Sequence, residues 1–185
     1  MERVKHLTME ELEAGLGTIL QSPKDNGVLD MIVRRPETNE RQVLQVGRLD
    51  SLEGLIGDNW GTRGSAKTPD GSANPDMQLT LMNSRVVALV AQDKERWPLA
   101  GDQLYVDMDL SEENIPPGTQ LKLGGAVIEV SAVPHTGCKK FVERFGLDAV
   151  KFVNSAEGKQ LHLRGINTKI VQSGAVGVGD VIRKV

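Results

Sequence analysis

Gln120-Leu121-Lys122-Leu123-Gly124-Gly125-Ala126-Val127-Ile128-Glu129-Val130 reads as two short strands and the turn between them. Apolar residues alternate with polar ones on either side of Gly124-Gly125, so each flank has one face for a core and one for water. A Gly-Gly pair between two such runs is a strong signal for a tight hairpin, because glycine supplies the positive φ angles of a primed turn. Working outward, Leu104, Val106, Met108 and Leu110 repeat every second residue and predict another strand. Between them, Pro116-Pro117-Gly118 forces a turn. Downstream, Pro134 ends the second arm of the hairpin and introduces Pro134-His135-Thr136-Gly137-Cys138.

The rest of the chain follows the same rhythm. Thr8 with Glu11 fits a capping box, with Leu7 and Leu12 as a hydrophobic staple, for a helix ending near Gly15 to Gly17. Segments 28–35 and 41–49 predict an antiparallel hairpin around the turn-rich 36–40. A glycine-rich stretch over 54–76 predicts a mobile loop. A strand over 77–82 precedes a helix that Asn83 caps and that runs to Lys94, with Val86, Val87, Leu89 and Val90 on its buried side. A helical stretch over 139–154 is interrupted near Gly146. Strands are expected over 161–165, 169–171 and 181–185, with Gly174, Gly177 and Gly179 in turns between them. The fold class expected is mainly β: an antiparallel barrel-like sheet with about three short peripheral helices. Residues 1–27 form an N-terminal helix and lead-in, and residues 28–185 form one domain.

Composition narrows the function. Acidic residues outnumber basic ones, giving a net charge of −3, and no basic stripe exists, which argues against nucleic acid. Aromatic residues are 3 %, too few for a base-stacking platform. No apolar run is long enough for a membrane span. The polar start, Met1 to His6, does not read as a signal peptide. One cysteine excludes an internal disulfide, and together these features predict a cytoplasmic protein.

Cys138 is the first candidate for chemistry. It sits between a turn and a helix, where the helix N-terminus, Lys139, Lys140 and a protonated His135 all favour a thiolate. The plain alternative is an inert buried cysteine. A zinc site lacks ligands, since the chain offers one cysteine and three histidines, His6, His135 and His162. A Cys-His catalytic pair would need His6 or His162 as its base, and both read as surface or satisfied positions. Gly174-Ala175-Val176-Gly177-Val178-Gly179 has no helix after it and no βαβ unit around it, so it reads as turn chemistry rather than a dinucleotide site. No phosphate-binding Gly-Lys-Ser/Thr and no serine-centred elbow occurs.

Several stretches together resemble the MOSC domain family, the C-terminal domain of molybdenum-cofactor sulfurases, here in a stand-alone bacterial-type form. They are Gly54-Leu55-Ile56-Gly57-Asp58, Gly101-Asp102-Gln103-Leu104, Glu113-Asn114, Gly124-Gly125, Pro134 to Cys138, Phe152-Val153-Asn154 and Leu163-Arg164-Gly165-Ile166. Where many members carry His-Gly-Gly, this chain has Pro75-Asp76-Met77-Gln78. The resemblance implies a sulfur carrier or a molybdenum-cofactor-binding protein. Cys138 would then hold a persulfide or ligate molybdenum. It implies His135, Lys140, Asn114, Arg63 and Arg164 as cofactor-binding candidates, since the cofactor carries a phosphate; Lys67 and Arg85 are further basic candidates. It also implies a cysteine desulfurase, a pyridoxal-phosphate enzyme, or a molybdoenzyme as partner. Two other readings stay open. One is a non-catalytic module for a pterin-like or other anionic ligand, and the other is a molybdenum-dependent reductase component for N-hydroxylated compounds.

Overall fold

The computed structural model describes residues 4–185. Residues 1–3 of the polar start lie outside the described residues. The Gly-Gly hairpin forms as read: β7 (Gln120–Leu123) pairs antiparallel with β8 (Ala126–Val130), with Leu123 opposite Ala126. Only Gly124 takes a left-handed φ, +53°. An added Cβ there would sit 2.6 Å from the Ala175 carbonyl oxygen, because the turn is pressed against a neighbouring strand.

Seven strands close a barrel in the order β11 (Val181–Lys184), β7, β8, β9 (Ile166–Gln172), β5 (Leu79–Asn83), β6 (Leu104–Asp107) and β1 (Gly27–Arg34), and β1 pairs back to β11. β2 (Gln42–Leu44) extends the sheet outside β1. Every pairing is antiparallel except β5–β6. A parallel pair needs a crossover. Here it is α4 (Ser84–Ala91) followed by a 3-10 helix, Lys94–Ala100. A three-stranded sheet, β10 (Gly174–Gly177), β3 (Val46–Asp50) and β4 (Gly54–Leu55), packs beside the barrel.

Two cores result. Leu104, Val106, Met108 and Leu110 all join the barrel interior with Leu29, Ile128 and Ile182. Tyr105, between them, points the other way into a second core beneath the helices, with Met82, Phe141, Phe145 and Phe152. The alternation read from the sequence is therefore real, and both faces of β6 are buried.

The helices are more numerous than expected: α1 (Met9–Ala14), α2 (Leu16–Leu20), α3 (Trp60–Arg63), α4, α5 (Lys139–Phe145), α6 (Leu147–Asn154) and α7 (Ala156–Gln160). The Thr8–Glu11 capping box is present, and Asn83 caps α4 as read. Other readings are corrected. Segment 41–49 is two strands in two sheets, because the chain leaves β1 at Gln45 and pairs with β10 instead. The α4 helix stops at Ala91, where Gln92 turns left-handed (φ +65°). Residues 161–165 form a turn rather than a strand, and Gly174 and Gly177 lie within β10. The 54–76 stretch is pinned in its first half by β4 and by buried Trp60, and its largely exposed later half folds on itself through Ser65–Gly71 backbone bonds before a 3-10 turn, Pro75–Met77.

Gly124→Ala should therefore destabilise the protein. The left-handed backbone alone costs about 1–2 kcal/mol, and the Ala175 contact adds to it. Gly17→Ala, in α2 with open space around an added Cβ, should stabilise by about 0.4–1 kcal/mol. Urea melts of both variants check this. A Gly124→Ala variant as stable as the parent contradicts the hairpin geometry.

Candidate functional site

The turn between the 3-10 helix and β6 carries Asp102, whose side chain is fully buried. Buried charge survives only when paired. Here one oxygen, Oδ2, accepts from Arg164 Nη1 at 2.6 Å, and Oδ1 faces His135 Nε2 at 3.0 Å. Burial pushes the carboxyl up, but the Arg164 charge and the His135 hydrogen bond outweigh it and hold it below the ordinary carboxylate range. For His135, burial and then the Arg164 charge push the ring down against the pull of Asp102, so the imidazole is neutral near pH 7.

Arginines hold the same turn from every side. Arg41 donates to the Pro98 carbonyl, Arg144 to Leu99, Arg164 to Ala100 and Arg35 to Gly101. These carbonyls close the end of the 3-10 helix, where donors are needed, and Pro98 also accepts from the Gly101 backbone N–H. Arg35 also grips buried Asp58 in a two-pronged pair, Nε–Oδ1 2.9 Å and Nη2–Oδ2 2.8 Å. Gln103 accepts from the backbone and hydroxyl of Thr80 and reaches toward Asp58 at 3.3 Å.

The segment after β8 is a strap clamped at three points. Asn167, fully buried on β9, donates to the Val133 and Pro134 carbonyls at 3.0 and 3.2 Å. Asp102 holds His135. Asn154, at the end of α6, bonds Gly137 in both directions, at 2.8 and 3.0 Å. The strap delivers Cys138 to the start of α5, where its carbonyl accepts from Phe141 and Val142 and its thiol is exposed. The buried-cysteine alternative is thereby removed.

Two cavities flank the strap. The larger, about 500 Å³, is lined by Glu112, His135, Thr136, Lys159, His162 and Asn167 among others. The smaller, about 120 Å³, lies toward the 54–76 segment and is lined by Arg35, Arg63, Ser65, Asn74, His135 and Asn167 among others. His135 and Asn167 line both, so the two spaces meet across these side chains. The Asn167 Oδ1 atom is buried without a partner among the described residues. Arg63 has no side-chain hydrogen bond or ion pair among the described residues. Burial and then the Arg35 charge work against its guanidinium, and Asp58 only partly offsets them. Arg63 as a residue is nevertheless exposed, so solvent supplies part of its compensation.

The candidates from sequence separate accordingly. His135, Arg164 and the strap ending in Cys138 come together, and Arg63 joins His135 at the smaller cavity. Arg164 commits Nη1 to Asp102 and Nη2 to Ala100, and its buried Nε has no partner among the described residues. Asn114 lines neither cavity; it ties Lys24, Asp109 and Lys184 together. Lys140 is exposed on α5. Of the further basic candidates, Arg85 pairs with Asp107 and Lys67 is exposed on the loop. Neutral His135, turned to Asp102, adds no positive charge beside the thiol, contrary to expectation. His162 lies in the turn before β9, with Nδ1 2.7 Å from the Leu110 carbonyl. Sequence reasoning did not single out Asp102, Asn167, Asp58 and Arg35, which build the surroundings of the strap; for Asp102 the signal was polar Asp-Gln directly ahead of an apolar strand. Among the described residues, no group of three or more His, Cys, Asp or Glu side chains can hold a metal ion. No helix among them is long and apolar enough to cross a membrane.

A closed mixed barrel that presents one free thiol on a clamped strap defines the class of this protein. The chain belongs to the MOSC domain family, which matches residues 69–183. Solved structures share the fold. YuaD from Bacillus subtilis is 16 % identical, covers 85 % of this chain and 94 % of its own, and superposes with a TM-score of 0.63. YiiM from Escherichia coli is 19 % identical, covers 85 % of this chain and 69 % of its own, with a TM-score of 0.55. YiiM from Geobacillus stearothermophilus is 12 % identical, covers 88 % and 74 %, with a TM-score of 0.52. No curated protein sequence matches the chain.

Asp102→Asn leaves Arg164 as an unpaired buried cation, and the expected loss is about 3–5 kcal/mol, read from urea melts. The pH dependence has two parts. The lowered Asp102 carboxyl contributes stability above about pH 3.9, lost as pH falls through its folded value. The lowered His135 ring works in the next window up: below about pH 6.5 the unfolded chain takes the proton first, so stability falls as pH drops. His135→Gln should flatten the melt midpoint between pH 5 and pH 7, on the order of the unperturbed histidine range. An unchanged slope there contradicts the neutral imidazole.

Proposed function

We propose that this chain is a sulfur carrier that holds a sulfane sulfur on Cys138 as a persulfide and passes it to an acceptor. The observation that carries this reading is the placement of the one thiol: exposed, ahead of α5, at the end of a strap fixed by Asn167, Asp102 and Asn154. A carrier needs a sulfur atom that a donor and an acceptor can both reach. It also needs a fixed backbone, so that the same atom is presented each time. Membership of the MOSC family supports sulfur chemistry at this cysteine. A cysteine desulfurase is the donor chemistry that fits, since the chain itself has no lysine in a pyridoxal-phosphate setting.

A second reading is favoured by one specific observation, the unpaired Arg63 beside the smaller cavity. In it, Arg63 would hold the phosphate of a molybdenum cofactor, the smaller cavity being large enough for that group alone, and Cys138 would be the metal's thiolate ligand. Bound there, the cofactor would supply two-electron redox chemistry, including reduction of N-hydroxylated compounds. Asn114, committed to the protein, does not take part in holding it.

Incubation with a cysteine desulfurase and cysteine, followed by intact-mass analysis, tests the carrier reading. The expected gain is one sulfur atom, removed by reductant and absent in Cys138→Ser. The serine variant should keep its stability within about 0.5 kcal/mol, as exposed positions do. No gain, or a gain that persists in Cys138→Ser, overturns the reading. Near-stoichiometric molybdenum in the purified wild type, lost in Cys138→Ser, would support the second reading instead.

A further inference from the structure

We propose that His135 is the proton acceptor for the molecule that occupies the larger cavity, and that Asp102 is its positioning residue. This rests on the sulfur-carrier reading and names the group that activates the sulfur acceptor.

The tautomer decides the matter. The Asp102 carboxylate is also bound by Arg164 and can only accept, so His135 Nε2 must carry the hydrogen. That leaves the lone pair on Nδ1. Among the described residues Nδ1 has no partner, yet the side chain keeps 18 % of its exposure and lines both cavities. A histidine kept only to complete the shell around Asp102 would have its second nitrogen satisfied or covered. Instead the ring is fixed by a carboxylate at Nε2, has no protein partner at Nδ1 and belongs to a side chain that lines a cavity, which is an arrangement a general base can use.

The charges around it are consistent. Asp102 faces Nε2. Arg164, on the approach to β9, and Arg35, just after β1, both oppose protonation of the ring. Arg63 lines the smaller cavity, and Glu112, Lys159 and His162 line the larger. The ring therefore stays neutral and able to accept a proton near pH 7. The pyrrolidine of Pro134 and the Asn167 bonds to residues 133 and 134 fix the backbone from which it projects.

The step balances without an outside oxidant or reductant. The acceptor is a protic nucleophile, such as a thiol. Its S–H bond breaks and the proton goes to His135 Nδ1. The freed electron pair attacks the outer sulfur of the Cys138 persulfide. The persulfide S–S bond breaks, and its electron pair leaves on Cys138 as thiolate. The acceptor departs as a persulfide carrying the sulfane sulfur and its hydrogen, and the imidazolium gives up its proton to the Cys138 thiolate or to solvent.

The test uses the persulfide-loaded protein with two probes. 2-Mercaptoethanol is protic and needs a base. Sulfite at mildly alkaline pH is already an anion and needs none. His135→Gln keeps an amide donor for Asp102 but cannot accept a proton. It should load sulfur normally, transfer it to 2-mercaptoethanol about 100-fold more slowly, and transfer it to sulfite at the wild-type rate. Equal losses with both probes would mean that His135 only holds the strap, and would overturn the inference. An unchanged thiol rate would also overturn it. Nitrogen-15 NMR of wild-type histidines gives an independent readout: His135 should show a protonated Nε2 and a bare Nδ1 at neutral pH, and the opposite tautomer overturns the inference even if Asp102→Asn does not fold. Failure of the wild type to load removes the carrier reading together with this one, whereas loading with unchanged thiol transfer removes this one alone.

Discussion

A carboxylate with no solvent exposure, Asp102, sets the arrangement on which the site depends. Left alone it would cost several kcal/mol to bury. Its two oxygens are divided between Arg164 and His135, so one charged group joins the approach to β9, the start of β6 and the strap after β8. The turn that carries it is itself held by four arginines, each on a different carbonyl from Pro98 to Gly101. Such an arrangement tolerates little movement, because loss of one partner strands another in a medium that cannot solvate it.

That rigidity has a functional consequence. The strap would otherwise be an ordinary connection between a strand and a helix. Asn167, Asp102 and Asn154 convert it into a fixed mount for two groups of complementary chemistry. His135 looks inward to a carboxylate and outward to a cavity. Cys138, three residues later, is at the surface. The smaller cavity adds a third element, Arg63, on the opposite side of the same His135–Asn167 wall. An exposed thiol, a neutral imidazole and the Arg63 guanidinium thus lie on or beside one strap and its cavities.

The barrel was legible because its signals are local. The Gly124-Gly125 turn, the alternation from Leu104 to Leu110 and the caps at Thr8 and Asn83 each act within a few residues. The errors fall where distant pairing decides. Nothing near Gln45 reveals that the chain changes sheets there, and residues 161–165 are apolar enough for a strand although α7 and His162 turn them. At the site, the turn Pro134 to Cys138 was visible in the sequence, and the structure places Cys138 exposed and His135 against Asp102. Arg164 was named, but as a ligand for phosphate. Its burial against Asp102, 62 residues away in sequence, is a tertiary fact that no local pattern encodes. Asn114 was misread for the same reason, since its partners are Lys24 and Lys184 at the two ends of the chain.

The central claim is that one clamped strap carries both the exposed Cys138, the proposed sulfur carrier, and His135, which lines the larger cavity. A crystal structure of the protein after loading with a sulfane-sulfur donor tests it most directly. The account predicts one additional sulfur atom on Cys138 Sγ, directed toward the larger cavity, with the His135–Asp102–Arg164 contacts unchanged. An unmodified Cys138, or an added sulfur directed away from that cavity into solvent, would contradict it.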